Sequence, residues 1–246
     1  MTSAKTVIVT GASSGIGLAI AEAYLKRGDN VVGNARTLAR LQEAAASIGD
    51  PSNFLLVEGN IGERATAQAL FSRAIEAFGR VDILVANAGV FIGKPTVDLT
   101  DDDVDAIVAT NIKGFIYPAQ EAARHMTANG AGHIISIGAC IAMQPQAKLP
   151  ALLTALSKGG LNHAVRALAL ELATTGVQVN GVAPGVIETP MFPDDEQTWA
   201  FLRTFAPTGR TGVPQDVVDA VLYLTGSSYV TGSIMTVDGG STAGVW

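Results

Sequence analysis

The sequence predicts an α/β fold in which a parallel sheet is covered by helices on both faces. Short β-branched runs alternate with longer segments of helical periodicity, as in successive right-handed strand–helix–strand units. A glycine-rich turn directly follows the first of these runs. The 246 residues, 48% of them hydrophobic, suffice for one large core. No linker divides the chain, so we expect one domain over residues 1–246.

Seven strand candidates follow from the β-branched runs. They are Thr6–Thr10, Asn30–Ala35, Phe54–Glu58, Ile83–Ala86, His133–Ile137, Val177–Val182 and Ile234–Val237. Between them, apolar residues recur at helical spacing, for example Leu161, Val165, Leu168 and Leu172. Parallel sheets of this kind bind ligands at the carboxyl ends of their strands, so functional residues are expected just after strands.

Composition and charge narrow the classes of partner. The net charge of −6 is scattered along the chain, which argues against nucleic acid as a partner. No apolar run is long enough for a signal peptide or a membrane span, so we expect no membrane association. The single cysteine, Cys140, excludes an internal disulfide and suits a reducing cytoplasm. The isolated histidines predict no metal site.

The glycine-rich turn has the pattern of a phosphate-binding loop. Gly11 permits a tight turn, Gly15 allows close approach to a pyrophosphate, and Gly17 allows helix and strand to pack closely. The following helix begins with unpaired N–H groups and a partial positive charge. An ordinary glycine-rich strand–helix turn is the alternative. The candidate binding residues are Gly11, Ser13, Ser14, Gly15, Ile16 and Gly17.

Five motifs occur in a fixed order, each after a predicted strand or within a helix or strand. They are the Thr-Gly-x-x-x-Gly-x-Gly loop at 10–17, Asn87-Ala88-Gly89, Asn111, Pro184–Thr189 and Val237-Asp238-Gly239-Gly240. Together they resemble the short-chain dehydrogenase/reductase family over residues 5–240. The resemblance implies a Rossmann-type doubly wound sheet and an NAD(P)(H)-dependent oxidoreductase acting on a small carbonyl or alcohol.

The resemblance also implies roles for single residues. Asn60 and Ile61 would lie at the adenine, and Asn87, Ala88 and Gly89 would line the cofactor groove. Pro184, Gly185 and Ile187 would meet the nicotinamide carboxamide, and Thr189 would lie near the pyrophosphate. Asn111 would interrupt a helix and hold a water of the proton relay, although a lone Asn is more often a cap or turn residue.

Arg36 makes NADP(H) the expected cofactor in preference to NAD(H). At the end of the second strand, Ala35 occupies the position where NAD-using members of the family carry Asp, and Arg36 follows it. A guanidinium pairs with a 2′-phosphate in fork geometry, whereas a carboxylate would repel it. The alternative is that Arg36 is simply solvated at a helix start.

The catalytic positions depart from the family pattern. The family has a Tyr-x-x-x-Lys pair on the helix after the fifth strand, and a serine at the end of that strand. Here Lys158 is present, but Thr154 stands four residues before it. The best alignment puts Ala139 at the serine position, and neighbouring registers give Gly138, Cys140 or Ile141. None of the four tyrosines, Tyr24, Tyr117, Tyr223 and Tyr229, lies near this position.

Three interpretations of the departure remain open. A reductase could use Lys158 for proton transfer, with Cys140, Asn111 or water assisting, since a buried lysine can act as acid or base. Thr154 is a weaker candidate because its hydroxyl is far less acidic than a phenol, and Cys140 could equally be a small core residue. Alternatively, the protein binds NADP(H) without turnover as a sensor or partner subunit, or has a purely structural role.

Two further segments suggest an assembly and a substrate lid. Gly159 and Gly160 each cost a helix about 1 kcal/mol relative to alanine. Close backbone approach would explain them, either within one subunit or, as the family resemblance implies, in a homodimer or homotetramer. The apolar stretch from Met191 to Phe205 could close over the substrate, or could pack as an ordinary surface helix.

Overall fold

The computed structural model describes residues 4–244, and its seven strands are those expected from the sequence. They are β1 Thr6–Thr10, β2 Asn30–Ala35, β3 Phe54–Glu58, β4 Ile83–Ala86, β5 Gly132–Ile137, β6 Val177–Pro184 and β7 Ile234–Val237. β5 begins one residue earlier than predicted. β6 continues past Val182 to Pro184 because Gly181–Pro184 pairs with Ile234–Val237.

All seven strands are parallel, in the order β3-β2-β1-β4-β5-β6-β7. The order reverses between β1 and β4, and their carboxyl ends form the crevice where doubly wound sheets bind ligands. The prediction of a Rossmann-type doubly wound sheet is therefore confirmed.

Eight α-helices cover the two faces of this sheet within residues 4–244. They are α1 Gly15–Lys26, α2 Leu38–Ser47, α3 Arg64–Phe78, α4 Asp101–Ile107, α5 Gly114–Asn129, α6 Leu152–Glu171, α7 Glu196–Arg203 and α8 Pro214–Gly226. Ile20 of α1, Leu41 of α2 and Val221 of α8 join the core on one face. Leu70 of α3 and Val165 of α6 join the core on the other, together with α5.

The helices of the described residues include none that is long and apolar enough to cross a membrane. Residues 4–244 also contain no group of three or more His, Cys, Asp or Glu side chains placed to hold a metal ion.

Candidate active site

The glycine loop between β1 and α1 is shaped by positions that admit no side chain. Gly11 and Gly15 have φ angles of +68° and +54°, in the left-handed region that favours glycine. A methyl group on Gly17 would collide with the Gly11 carbonyl oxygen and lie 2.5 Å from Asn87 Nδ2. A methyl group on Gly15 would lie 3.0 Å from Thr189 Cγ2. The loop is therefore packed against both the β4 and the β6 ends.

Thr10 and Asn87 lock this loop to the end of β4. The Thr10 hydroxyl accepts hydrogen bonds from the backbone N–H groups of Asn87 and Ala88, both at 3.0 Å. The Asn87 side-chain amide donates to the carbonyl oxygens of Thr10 at 2.9 Å and Gly11 at 3.3 Å. The Asn-Ala-Gly element thus fixes the loop from outside. Thr10 is the first residue of the glycine motif, and this role of its hydroxyl was not among the sequence predictions.

The start of α1 is suited to an anionic group. Ser14 is its N-cap, in extended conformation, and its hydroxyl makes no capping hydrogen bond. The side chains of Ser13 and Ser14 are only half-buried. Four N–H groups at a helix start lack partners within the helix, so an approaching phosphate meets amides and hydroxyls without displacing existing bonds. The residues present fit a dinucleotide pyrophosphate.

The residues after β2 and β3 frame the adenosine side of the crevice. Arg36 is exposed and takes part in none of the salt bridges among residues 4–244, while Ala35 before it is buried. Asn60 is exposed, and its carboxamide oxygen accepts from the Gly62 N–H at 3.0 Å. Ile61 is buried in the core against α3 and α5. A bound group can therefore meet the side chains of Arg36 and Asn60, whereas Ile61 contributes chiefly packing.

Lys158 is a buried ammonium between the carboxyl ends of β4 and β5. Its side chain lies on α6 and is 7% exposed, and Nζ donates to the Ile137 carbonyl oxygen at 2.8 Å. Burial lowers the pKa of Lys158 to about 8 from its ordinary value near 10.5. A methyl group on Gly89 would lie 3.1 Å from Nζ, so the absence of a side chain there leaves the ammonium beside the backbone after β4.

Asn111 lies at an interruption of helical geometry, as the family resemblance implies. It is part of a π-helical turn, Val108–Lys113, between α4 and α5. Its carboxamide accepts from the Val90 N–H at 2.9 Å and donates to the Val90 carbonyl oxygen at 3.1 Å. The amide also donates to Ser157 Oγ at 3.1 Å. Asn111 therefore ties the backbone after β4 to α6, one residue before Lys158.

Thr154 lies one helical turn before Lys158 and is 1% exposed. Its hydroxyl accepts from the Ile92 N–H at 3.0 Å and donates to the Ile92 carbonyl oxygen at 3.3 Å. The four tyrosines lie elsewhere. Tyr24, for example, is buried against Thr225, and burial raises its pKa to about 12.

Ala139 and Cys140 follow β5. Cys140 begins a single 3₁₀ turn, and burial, together with the nearby Asp238 carboxylate, raises the pKa of its thiol to about 11. The environment therefore opposes formation of a thiolate, the form in which cysteine acts as nucleophile or base. Whether Cys140, Thr154 and Asn111 act in catalysis remains a prediction.

The segment after β6 passes beside β7 and the glycine loop. The Gly185 N–H donates to the Val237 carbonyl oxygen at 2.9 Å, and a methyl group on Gly185 would lie 2.8 Å from Asp238 Cα. Ile187 is buried, while Thr189 packs on Gly15. The predicted nicotinamide segment and the phosphate loop are thus brought together.

In the apolar stretch after this segment, some aromatic side chains line a cavity and another is buried in the core. Phe192 and Trp199 meet edge to face with ring centroids 5.9 Å apart, and both line a cavity of about 610 Å³ with Thr189 and Glu188. Phe205, by contrast, is buried and packs at 5.0 Å from the Phe201 ring. Of the aromatic residues expected in a lid, Phe192 and Trp199 line this cavity and Phe205 belongs to the core, and closure over a substrate stays a prediction.

Known proteins resemble the chain in sequence and in structure. The model of the short chain dehydrogenase family matches residues 5–199. Glucose 1-dehydrogenase of Gluconobacter oxydans is 34% identical over 245 residues, covering 97% of this chain and 92% of that protein. A short-chain type dehydrogenase/reductase from Mycobacterium marinum superimposes with a TM-score of 0.92 at 32% identity, covering 98% of this chain and 97% of that one. A 3-ketoacyl-(acyl-carrier-protein) reductase from Brucella melitensis, complexed with NADH, superimposes with a TM-score of 0.89 at 30% identity. The match covers 97% of this chain and 98% of that one.

Proposed function

The chain belongs to the short-chain dehydrogenase family, and from that premise we propose that it is an NADP(H)-dependent oxidoreductase that interconverts carbonyl compounds and alcohols by hydride transfer. Its relatives share NAD(P)-dependent oxidoreductase activity. The preference for NADP(H), the substrate class and the source of the proton are the parts that we propose.

Lys158 is the observation that carries the proposal. It is the buried ammonium between the ends of β4 and β5, and its lowered pKa of about 8 allows both protonated and neutral forms near neutral pH. A dinucleotide held by the glycine loop would supply the hydride to the carbonyl carbon in reduction. We propose that Lys158 then supplies the proton to the oxygen, directly or through a water, and that in alcohol oxidation its neutral amine takes the proton back.

Arg36 supports NADP(H) over NAD(H). Its guanidinium is exposed directly after β2 and is not used by any salt bridge of residues 4–244. The neighbouring Ala35 brings no carboxylate that would accept the ribose hydroxyls of NAD and repel a 2′-phosphate. The relative solved with NADH belongs to the same family, so the preference has to be measured on this chain.

A second candidate function is NADP(H) binding without turnover, as a sensor or partner subunit. The observation that favours it is that the two other candidate proton donors, Thr154 and Cys140, are poorly placed to give up a proton. The Thr154 hydroxyl is bonded to Ile92, and burial raises the pKa of the Cys140 thiol to about 11. The two functions differ in one respect, which is whether Lys158 can protonate the substrate oxygen unaided.

The test is NADPH consumption over a broad panel of aldehydes and ketones by the wild type and by Lys158→Ala. Binding of NADPH to both proteins is first confirmed by fluorescence titration. Turnover by the wild type that falls at least about 100-fold in the variant would support Lys158 as the acid. NADPH binding without turnover across the panel would favour the binding function.

We also propose that the protein is a homo-oligomer in which a second copy covers α6, and that it works in the cytoplasm. Leu152 and Leu156 on α6 are 50% and 68% exposed. Among residues 4–244, no atom beyond its own stretch of α6 would lie within 4 Å of a methyl group on Gly160, so packing within the described part of one subunit does not explain this glycine. Light scattering should give a dimer or tetramer that Leu156→Asp dissociates, while Tyr229→Asp, at a fully exposed position, has no effect.

A further inference from the structure

Two side chains hold the backbone after β4 through hydrogen bonds to its main chain. Asn111 bonds both the N–H and the carbonyl oxygen of Val90, at 2.9 and 3.1 Å. Thr154 bonds both the N–H and the carbonyl oxygen of Ile92, at 3.0 and 3.3 Å. These are four hydrogen bonds to two residues that are separated only by Phe91. The segment is therefore fixed by its main chain.

The donor hydrogen of the Thr154 hydroxyl is committed to this arrangement. A hydroxyl has one hydrogen to donate, and Thr154 gives it to the Ile92 carbonyl oxygen. The side chain is 1% exposed, so a substrate could reach the oxygen only by breaking the bonds to Ile92. Breaking them would leave the buried Thr154 hydroxyl without these hydrogen-bond partners, which is unfavourable.

The held segment runs from the surroundings of Lys158 to two partly exposed apolar side chains, Phe91 and Leu149. Gly89, which directly precedes it, is beside the Lys158 ammonium. Beyond its other end, Gly93 is close to the Phe91 ring and within reach of Leu149, in the loop before α6. Phe91 and Leu149 are both partly exposed. The segment thus connects the proton-bearing group to an apolar surface that a substrate can contact.

We propose that Thr154 is a positioning residue, whose hydroxyl clamps Ile92 so that the Val90–Ile92 segment forms a fixed wall for the substrate beside Lys158, and that it donates no proton to the substrate. The part that concerns substrate rests on the proposed oxidoreductase function. The clamp itself is a property of the folded protein and can be measured without turnover.

The test compares Thr154→Val, which removes the hydroxyl at nearly constant shape, with Thr154→Ser, which retains it. Hydrogen exchange is followed by mass spectrometry on peptides spanning residues 88–94, with NADPH-dependent kinetics in parallel. We expect amide exchange in this segment to accelerate about tenfold in Thr154→Val. We expect KM for the carbonyl substrate to rise about tenfold, while the turnover rate at saturation changes less than about threefold. Thr154→Ser should resemble the wild type in both measurements.

Thr225→Val is the matched control, because it removes another buried threonine hydroxyl that is bonded to Tyr24 at 2.7 Å and to the Val221 carbonyl oxygen at 2.9 Å. It lies in α8, on the opposite face of the sheet, and should lower thermal stability without moving KM or exchange at 88–94. If Thr154→Val does not fold, Thr154→Ala carries the same expectation.

Unchanged exchange at 88–94 in Thr154→Val would overturn the clamp. If the turnover rate at saturation instead fell by at least about 100-fold while KM stayed the same, the positioning role would be overturned in favour of proton donation. Failure of the proposed function has a different signature, which is an absence of turnover in the wild type. In that case the exchange measurement alone decides whether the clamp exists.

Discussion

The glycine loop and the surroundings of Lys158 lie at the same edge of the sheet, but different forces define them. In the loop, steric exclusion decides the conformation, since Gly11 and Gly15 have positive φ angles and Gly17 has no room for a methyl group. Around Lys158, hydrogen bonds from side chains to the backbone decide it, through Asn111 and Thr154.

The difference teaches which substitutions each region can accept. A steric constraint admits one residue type, so the loop must keep its glycines for the fold and the cofactor alike. A hydrogen-bonding constraint can be met by several residue types, so the positions of Asn111 and Thr154 should accept other residues that make the same bonds. The predictions below probe this contrast, starting with the largest expected effect.

Gly17→Ala should break the loop. Its methyl group would collide with the Gly11 carbonyl oxygen, and the obstacle is backbone, which cannot rotate away. We expect NADPH affinity to fall at least about 100-fold, and stability to fall by about 3 kcal/mol, as for overpacked sites. Cofactor titration and urea unfolding measure the two effects.

Gly226→Ala is the matched control for that change. Gly226 ends α8 and is exposed, and no atom of residues 4–244 beyond its own stretch of α8 would lie within 4 Å of an added methyl group. Its stability should stay within about 1 kcal/mol of the wild type. If Gly17→Ala behaved like this control, the claim that sterics define the loop would be wrong.

Arg36→Ala should separate the two dinucleotides. Removing a charge-assisted fork to a 2′-phosphate is expected to weaken NADPH binding about 10- to 100-fold, while NADH binding changes less than about threefold. Arg40 is another exposed arginine, in the first turn of α2. Arg40→Ala is therefore the control, and it should weaken NADPH binding less. Equal losses for NADPH and NADH in Arg36→Ala would contradict the assignment.

The pH dependence should report Lys158. Because burial lowers its pKa to about 8, the protonated form needed for carbonyl reduction is lost as the pH rises through about 8. The reduction rate should fall about tenfold per pH unit above that value, and alcohol oxidation should rise with pH up to it. Initial rates in both directions between pH 6 and 10 test the sign. A reduction rate that is flat from pH 7 to 9.5 would exclude Lys158 as the acid.

The smallest expected effect is on how the free energy of unfolding depends on pH, through a histidine that lies away from the site. His133 on β5 has a buried Nδ1 without a hydrogen-bond partner among residues 4–244, and burial, aided by Lys5, lowers its pKa to about 4. The unfolded chain therefore binds more protons between pH 6.5 and 4, so stability is lost as the pH falls through that range. With allowance for partial exposure, we expect a loss of about 1 to 2 kcal/mol.

His133→Phe should flatten that loss, as measured by urea unfolding at pH 7 and pH 5. The same slope in the variant and the wild type would assign the acid sensitivity to other groups. The variant and the wild type should bind NADPH with the same affinity at pH 7. His133 lies near the start of β5, and the crevice is at the opposite, carboxyl ends of the strands.

The fold could be predicted from the sequence because its signals are local. Runs such as Thr6–Thr10 and Phe54–Glu58 are bounded by turn residues, and their predicted limits are those observed. The extension of β6 to Pro184 was missed because it depends on pairing with β7, more than 50 residues away along the chain.

The site was predictable only in part. Asn111 and Lys158 were identified through their motif context, and both are buried at the crevice. The bonds from Thr154 to Ile92 span 62 residues, and a threonine on a helix carries no local sign of such a partner. The role of the Thr10 hydroxyl toward Asn87 and Ala88, 77 and 78 residues away, was hidden for the same reason.

The most direct test of hydride transfer with Lys158 as the acid is a single-turnover reaction with NADPH deuterated at the transferring position of the nicotinamide. The wild type and Lys158→Ala, each saturated with this cofactor, are mixed with the carbonyl panel at pH 7, and the product alcohols are analysed by mass spectrometry. We expect one deuterium on the former carbonyl carbon with the wild type, and at least about 100-fold slower transfer with the variant. Saturated wild type that transfers no deuterium to any member of the panel, or a variant that transfers it as fast as the wild type, would contradict this mechanism.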